Sequence, residues 1–334
     1  MERLGNAYFC SMNHLAVLTS GGDSPGMNAC IRAVVRTAGL HNIRVSGVYR
    51  GYQGLIEDDI IEINRDHVRN TIHRGGTWLK TARSDEFRTP EGRQKAIANL
   101  RARGIDALVV IGGDGSFRGA TALSAEMEDL PVIGCPGTID NDLFGTDLTI
   151  GYDTAVNTAV EAVDRIRDTA ASHNRLFFVE VMGRDAGFIA LRTGIAAGAE
   201  AVLIPETTTY IDELVQKLET DWKERRRSGI IVVAEGDDGG GAMEVARKVQ
   251  ERFPQWETKV TVLGHIQRGG RPSAQDRILA SRMGHGAVLG LLQGQSRVMV
   301  GVQSGQVVYV PFEQATKHHQ AINPYLLELV EALG

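Results

Sequence analysis

Short apolar runs alternate with amphipathic stretches along almost the whole chain. Leu15–Ser20, Val45–Tyr49, Ala107–Ile111, Pro131–Gly134, Leu176–Met182, Ala201–Pro205, Gly229–Ala234 and Val260–Leu263 are short and mostly end in glycine or turn residues. Most are rich in Val and Ile and read as strands of parallel sheets, buried on both faces. Between them Met27, Ile31, Val34, Val35 and Ala38 keep helical spacing, as do Val156, Ala159, Val160, Val163 and Ile166. This alternation predicts an α/β fold of open, mainly parallel sheets flanked by helices, with ligands at the carboxyl ends of the strands. Val298–Val310 reads as a hairpin around Ser304-Gly305. No Pro/Ser-rich linker, low-complexity segment or internal repeat divides the chain. A crossover helix is expected from about Asp153, with a return to the first domain after about Gly264.

Composition narrows the class. The 334 residues carry a net charge of −5, with 43% hydrophobic and 23% charged residues, enough chain for one large or two medium α/β domains. No apolar run reaches the ~18–20 residues of a membrane span, and Met1–Asn13 lacks a secretory pattern. Cys10, Cys30 and Cys135 form no CxxC and leave an odd count, which fits a reduced, cytoplasmic compartment. The acidic balance argues against a general nucleic-acid binder. Glycine occurs 39 times, and only 7 of the 36 basic residues are lysine. Arginine's planar fork suits phosphate recognition; codon usage explains the count equally well, so position must decide. His318-His319 has no spacing partner for a metal and reads as solvated surface.

Three strand ends carry the chemical signal. Gly21-Gly22-Asp23, Gly112-Gly113-Asp114-Gly115-Ser116 and Pro136-Gly137-Thr138-Ile139-Asp140-Asn141-Asp142 each follow an apolar run. Glycines at a strand-to-helix turn let backbone N–H groups approach an anion, and the helix N-terminus adds partial positive charge. No Gly-Lys dipeptide occurs, so a Walker-type loop is excluded, and no turn fits the dinucleotide fingerprint. Each turn instead carries an aspartate, which would repel a phosphate unless a cation such as Mg²⁺ intervened. Asp114 is the natural ligand; the alternative is an aspartate capping the next helix. Asp140 and Asp142, two apart, point the same way if the segment is extended. One could then take a proton while the other sits near a metal or orients the loop; a solvated turn is the competing reading.

Taken together, these residues resemble the ATP-dependent 6-phosphofructokinases of bacteria. The likeness runs from about Leu15 to at least Gly284, through Gly21–Arg36, Arg74–Arg88, Ala107–Gly119, Pro136–Asp142, Arg165–Gly187 and Val262–Gly284. It implies two Rossmann-like three-layer αβα domains with mainly parallel sheets and an active site in the cleft between them. Residues 1–151 would form an ATP-binding domain to which the chain returns at about 267–315. Residues 152–266, with about 316–334, would bind fructose 6-phosphate.

The resemblance also implies roles. Gly22, Tyr52, Arg83, Ser84, Arg88, Gly115, Ser116 and Gly119 would line the ATP pocket, with Asp114 holding Mg²⁺. Asp140 would take the proton from the sugar 1-hydroxyl, with Thr138 and Asp142 beside it. Arg184 and Arg83 would stabilise the transferring phosphoryl. Met182, Gly183, Glu235, His265 and Arg268 would hold fructose 6-phosphate, joined by Arg175 and Lys259 of a neighbouring subunit in a homotetramer. Arg32, Arg36, Arg65, Arg167, Glu200, Arg226 and Arg227 would form an effector pocket for ADP or phosphoenolpyruvate.

Relatives using pyrophosphate typically carry aspartate where Gly115 stands and lysine where Gly137 stands, so ATP is the expected donor. Three positions depart from the family pattern. Lys259 replaces the usual arginine and loses its bidentate fork, which predicts weaker substrate affinity or altered cooperativity. Glu224 and Arg225 replace a lysine and a small residue beside the effector run. The expectation is therefore an ATP:fructose-6-phosphate 1-phosphotransferase of glycolysis. The rivals are a pyrophosphate-dependent enzyme, a NAD- or lipid-kinase relative sharing only Gly-Gly-Asp-Gly-Ser, and a silent sugar-phosphate sensor.

Overall fold

The computed structural model describes residues 12–173, 175–223, 228–315 and 321–333. Among them the chain divides into two compact units. The first draws on residues 12–138, 143–153 and 268–315; the second draws on residues 139–142, 154–173, 175–223, 228–267 and 321–333.

The first unit begins with β1 (His14–Thr19), α1 (Met27–Leu40), β2 (Arg44–Val48), α2 (Gly51–Glu57) and β3 (Ile60–Ile63). It continues through α3 (Pro90–Ala102), β4 (Ala107–Gly112), α4 (Asp114–Glu126) and β5 (Val132–Pro136). After α5 (Tyr152–His173), the second unit holds β6 (Arg175–Val181), α6 (Phe188–Ala197), β7 (Ala201–Leu203), α7 (Ile211–Lys223), β8 (Gly229–Ala234), α8 (Gly241–Arg252) and β9 (Glu257–Val262). The chain then returns with α9 (Ala274–Leu292), β10 (Val298–Gln303) and β11 (Gln306–Pro311), and α10 (Pro324–Leu333) closes the second unit.

The first sheet has the order β11-β10-β5-β4-β1-β2-β3, parallel from β10 to β2 with antiparallel strands at both edges. Period-two alternation splits its side chains between two cores. Leu15, Val17, Val109 and Ile111 pack with α1 and α9 residues such as Ile31 and Met283. Ala16, Leu18, Leu108 and Val110 pack with α2, α3 and α4 through Leu55, Leu100 and Phe117. Each fully buried Leu or Ile contributes about 1.5–3 kcal/mol. Two helix starts are written locally: Thr89 accepts from Gly92 N ahead of Pro90, and Ser273 accepts from Asp276 N. In the β10–β11 hairpin, Gln303 pairs with Gln306, and Ser304 and Gly305 both have positive φ, as a two-residue type I′ turn requires.

The second sheet, β7-β8-β6-β9, is entirely parallel. Phe178 and Val233 pack against α7 and α8, while Val179 and Val232, on the opposite face, are equally buried. One sequence expectation needs correction. The run at Val260–Leu263 reads as buried on both faces, but β9 is the sheet edge and its residues are only half-buried or exposed. The antiparallel edge strand β3 was not foreseen, because four residues including Glu62 are too short for periodicity to show.

Gly134 lies where β5 passes under two stacked rings. A Cβ there would sit 2.4 Å from Phe117 Cε1 and 2.8 Å from Phe312 Cε1. Gly134→Ala should therefore overpack this face and cost about 1–3 kcal/mol, read as a lowered midpoint in thermal unfolding. An unchanged midpoint would show that the rings yield freely.

Candidate active site

Parallel pairing in the order β5-β4-β1 puts the three glycine-rich turns side by side at one sheet edge. Ser20 N donates to Ile111 O and Gly137 N to Gly112 O, so the sheet ladder runs on into the turns. Ser116 is buried, and its Oγ would lie 2.3 Å from a Cβ on Gly112. Tyr52, expected to line a nucleotide pocket, has a buried ring. It stacks on Phe87 at 4.1 Å, packs on Gly119 and donates its hydroxyl to Ser116 O. Burial pushes this phenol well above its usual range. Tyr52 therefore shapes the turn from behind. Ser84 does similar work, donating to Gln53 Oε1 and accepting from Phe87 N. Arg83 and Arg88 stand exposed on the same loop, Arg88 3.7 Å from Asp85.

Asp114 is not a cap. The helix N-cap is Gly113, and Asp114 is the first residue of α4, with Oδ2 2.8 Å from Arg118 Nη2. Among the described residues no group of three or more His, Cys, Asp or Glu side chains gathers to hold a metal. One carboxylate at a glycine turn fits Mg²⁺ in its commonest protein mode, with phosphate oxygens and water completing the shell. The two glycines expected to select the donor differ. A Cβ on Gly115 would meet nothing within 4 Å, so the chain itself gives no reason for glycine there. Gly137 is buried, and a Cβ would lie 3.0 Å from Met27 Cε and 3.1 Å from Ile111 Cγ2. Packing already accounts for Gly137.

Arg268, expected with the sugar phosphate, lies against the Gly21-Gly22 turn of the first unit. Its Nη1 would be 2.3 Å from a Cβ on Gly22, and its Nε is buried without a hydrogen-bond partner. Such a donor suits an anionic ligand.

In the second unit, Met182, Gly183 and Arg184 follow β6, and Glu235 follows its neighbour β8. Glu235 Oε1 accepts from Arg184 N at 2.7 Å and Gly183 N at 3.3 Å. Met182, itself buried, donates its backbone N–H to Gln267 Oε1 at 2.9 Å. His265 is exposed on the short 3₁₀ turn Gly264–Arg268. Arg184 has φ 53 and its Nε lies 3.7 Å from Asp140 Oδ2. Asp140 and Asp142 are buried, and between them Asn141 has φ 53. The segment is therefore bent, and the argument that both carboxylates share a side by strand alternation fails. Thr138 lies two residues before Asp140, its carbonyl accepting from Thr149 Oγ1 at 2.7 Å.

Arg175 and Lys259 come together through a residue that went unremarked. Glu257 accepts from Arg175 Nε and stands 2.8 Å from Lys259 Nζ. Arg175 first, then Lys259, pushes its carboxyl down to about 2. The run read as a strand began only at Val260, so Glu257 and Lys259, two apart on β9, fell outside it. Arg118 was also missed, although it stands one helical turn from Asp114.

The residues expected at an effector pocket fall, where described, into two groups. Arg32 and Arg36 point together from α1, where burial and then the Arg36 charge lower the Arg32 pKa. Arg65 Nε would lie 3.6 Å from a Cβ on Gly39 of the same helix. In the second unit Arg167 donates to Ala197 O and Gly198 O and stands 3.8 Å from Glu200, capping the end of α6. Arg226 and Arg227, with Glu224, Arg225 and the His318-His319 pair, lie outside the described residues.

Comparison with known proteins gives a consistent result. A family profile described as Phosphofructokinase matches residues 14–291. The chain is 54% identical over 320 residues to "ATP-dependent 6-phosphofructokinase 2" of Bacteroides thetaiotaomicron, covering 96% of this chain and 98% of that one. It is similar to the phosphofructokinase structure from Saccharomyces cerevisiae, with a TM-score of 0.84 and 40% identity over 91% of this chain and 45% of that chain. A pyrophosphate-dependent phosphofructokinase from Nitrosospira multiformis shares the fold, with a TM-score of 0.85 at 23% identity over 96% of this chain and 91% of that one.

The two donor-position glycines separate in a stability measurement. Gly115→Ala in the first turn of α4 should leave stability unchanged or raise it by up to about 1 kcal/mol. Gly137→Ala should lower it by about 1 kcal/mol or more. Equal losses in urea unfolding would mean that Gly115 is held by packing after all.

Proposed function

This chain belongs to the phosphofructokinase family, and we propose the following reading of its chemistry. It is an ATP-dependent 6-phosphofructokinase that transfers the γ-phosphoryl of ATP to the 1-hydroxyl of fructose 6-phosphate, a glycolytic step. The observation that carries the mechanism is Asp140 beside Arg184 at 3.7 Å, on the turn braced by Glu235. Phosphoryl transfer asks mainly for positioning and charge cancellation. Asp140 takes the hydroxyl proton, and Arg184 meets the charge of the transferring group. Thr138 and Asp142 orient the loop that carries the base. Asp140 follows Thr138 by two residues on the segment after β5.

The first unit binds nucleotide and the second binds sugar phosphate. Gly22 and Gly115 bring backbone N–H groups to the phosphates, Ser116 and Gly119 follow along α4 with Gly119 leaving room for Tyr52, Arg83 and Arg88 stand on the adjoining loop, and Tyr52 and Ser84 support it. Asp114 would hold Mg²⁺, which supplies charge neutralisation across the phosphate oxygens. Glu235 accepts from sugar hydroxyls, Met182 and Gly183 form the turn beneath them, and His265 and Arg268 donate to sugar or phosphate. Arg175 and Lys259, spaced by Glu257, serve the 6-phosphate of a neighbouring subunit in a homotetramer. No helix among the described residues is long and apolar enough to cross a membrane, and the cytoplasm is the proposed location.

Regulation follows from Arg32, Arg36 and Arg65, three guanidiniums gathered on and around α1. They suit a polyanion such as ADP or phosphoenolpyruvate, with Arg167, Glu200, Arg226 and Arg227 completing the set. A double Arg32→Ala, Arg36→Ala variant should shift the half-effective concentration of ADP or phosphoenolpyruvate by about five-fold or more. An unchanged effector response would remove the site.

The reaction is tested with fructose 6-phosphate, Mg²⁺ and either ATP or pyrophosphate as donor. Turnover is expected with ATP; turnover with pyrophosphate alone would reverse the donor assignment. Asp140→Asn should lower kcat by about 10²–10⁴-fold while fructose 6-phosphate still binds by calorimetry. Retained turnover would mean that another group takes the proton.

A further inference from the structure

We propose that Arg118 is the internal counter-ion of Asp114 and that, by exchanging partners, it makes metal and nucleotide bind cooperatively. The proposal rests on the reading of Asp114 as the metal-holding carboxylate. Asp114 and Arg118 stand one turn apart at the start of α4, with Nη2 2.8 Å from Oδ2. The Asp114 side chain is 16% exposed and that of Arg118 is 70% exposed. The acid-then-base order at i,i+4 is the favourable one for such a pair, although a cation near a helix N-terminus opposes the helix dipole. Arg118 is therefore held by Asp114, not by the helix. Both residues line a cavity of about 350 Å³ together with Phe117, Thr121, Phe312 and Glu313, so the guanidinium has room to move.

A divalent cation and a guanidinium compete for the same carboxylate. A metal arriving alone must break the ion pair and leave two like charges as neighbours. A nucleotide phosphate arriving with the metal supplies the displaced guanidinium with a new anion. Arg118 thus opposes metal binding in the empty protein and favours nucleotide once the metal is in place. Both effects add to one coupling free energy. Its size is bounded by what a largely exposed pair contributes.

Purified full-length protein carrying Arg118→Met tests this without turnover. Mn²⁺ binding in the absence of nucleotide, followed by electron paramagnetic resonance, should tighten by about two- to five-fold. ADP binding at saturating Mg²⁺, followed by calorimetry, should weaken by a similar factor. Arg118→Lys, which keeps a point charge without the fork, should fall between. Unchanged values in both titrations, or weaker Mn²⁺ binding, would overturn the proposal. Asp114→Asn separates the two readings. If it leaves Mn²⁺ affinity intact, Asp114 is not the metal ligand. If it lowers that affinity while Arg118→Met changes nothing, only the partner exchange is wrong.

Discussion

Parallel strand pairing is the constraint from which the rest of the site follows. In a parallel sheet every carboxyl end emerges at one edge, so the register that buries Val17, Val109 and Ile133 also aligns the turns after β1, β4 and β5. The same constraint acts in the second sheet, where β6 and β8 deliver Arg184 and Glu235 as neighbours. A one-residue slip would move each apolar set to the wrong face. The positions of the chemical groups are thus secured by burial of groups that take no part in the chemistry.

Within those turns, conformations that ordinary residues avoid cluster around the proposed base. Asn141 and Arg184 both adopt left-handed backbone, and Gly183 has φ 149 with Ala186 O 2.3 Å from any Cβ it might carry. Such conformations cost about 1–3 kcal/mol each for residues other than glycine. They persist because the surroundings over-determine them: Glu235 accepts from two successive backbone N–H groups at that turn. On the proposed reading the glutamate that braces this turn also meets a sugar hydroxyl, so one carboxylate would serve structure and recognition.

The fold was largely legible in the sequence because its signals are local. Val/Ile runs, helical stripes and glycine turns each occupy a window of ten or so residues. What was not legible depends on neighbours distant in the chain. The exposure of β9 follows from its place at the sheet edge, which no property of Val260 or Val262 encodes. Tyr52 became a buried support because Gly119 and Ser116, more than sixty residues later, close over it. The spacing of Asp140 and Asp142 misled because strand alternation was applied to a segment that Asn141 bends. Gly115 and Gly137 look alike as letters, yet a Cβ on Gly137 would press on Met27 and Ile111 while one on Gly115 would meet open space. The arginine count was uninformative as a number; position gave it meaning.

Several of the cations proposed to meet phosphates already hold a carboxylate in the free chain. Arg118 holds Asp114, Arg184 stands by Asp140, and Arg175 and Lys259 share Glu257. A protein with a net charge of −5 has acids enough to do this, and the pairing keeps concentrated positive charge from repelling itself. In each pair except Arg175 with Glu257 the cation is exposed, and pairs with so much solvent around the cation contribute little, so a multiply charged phosphate can draw the cation away at modest cost. On the proposed reading the displaced acids are then released for other partners: a metal at Asp114, a hydroxyl proton at Asp140. Glu257 differs, since nothing in the reaction asks for it. Its two cations sit on neighbouring strands and would otherwise repel, so its part is to keep Arg175 and Lys259 together. This sharpens the consequence of lysine at 259. A point charge can stay with Glu257 and still face an anion, whereas an arginine fork that grips both would be committed to one geometry.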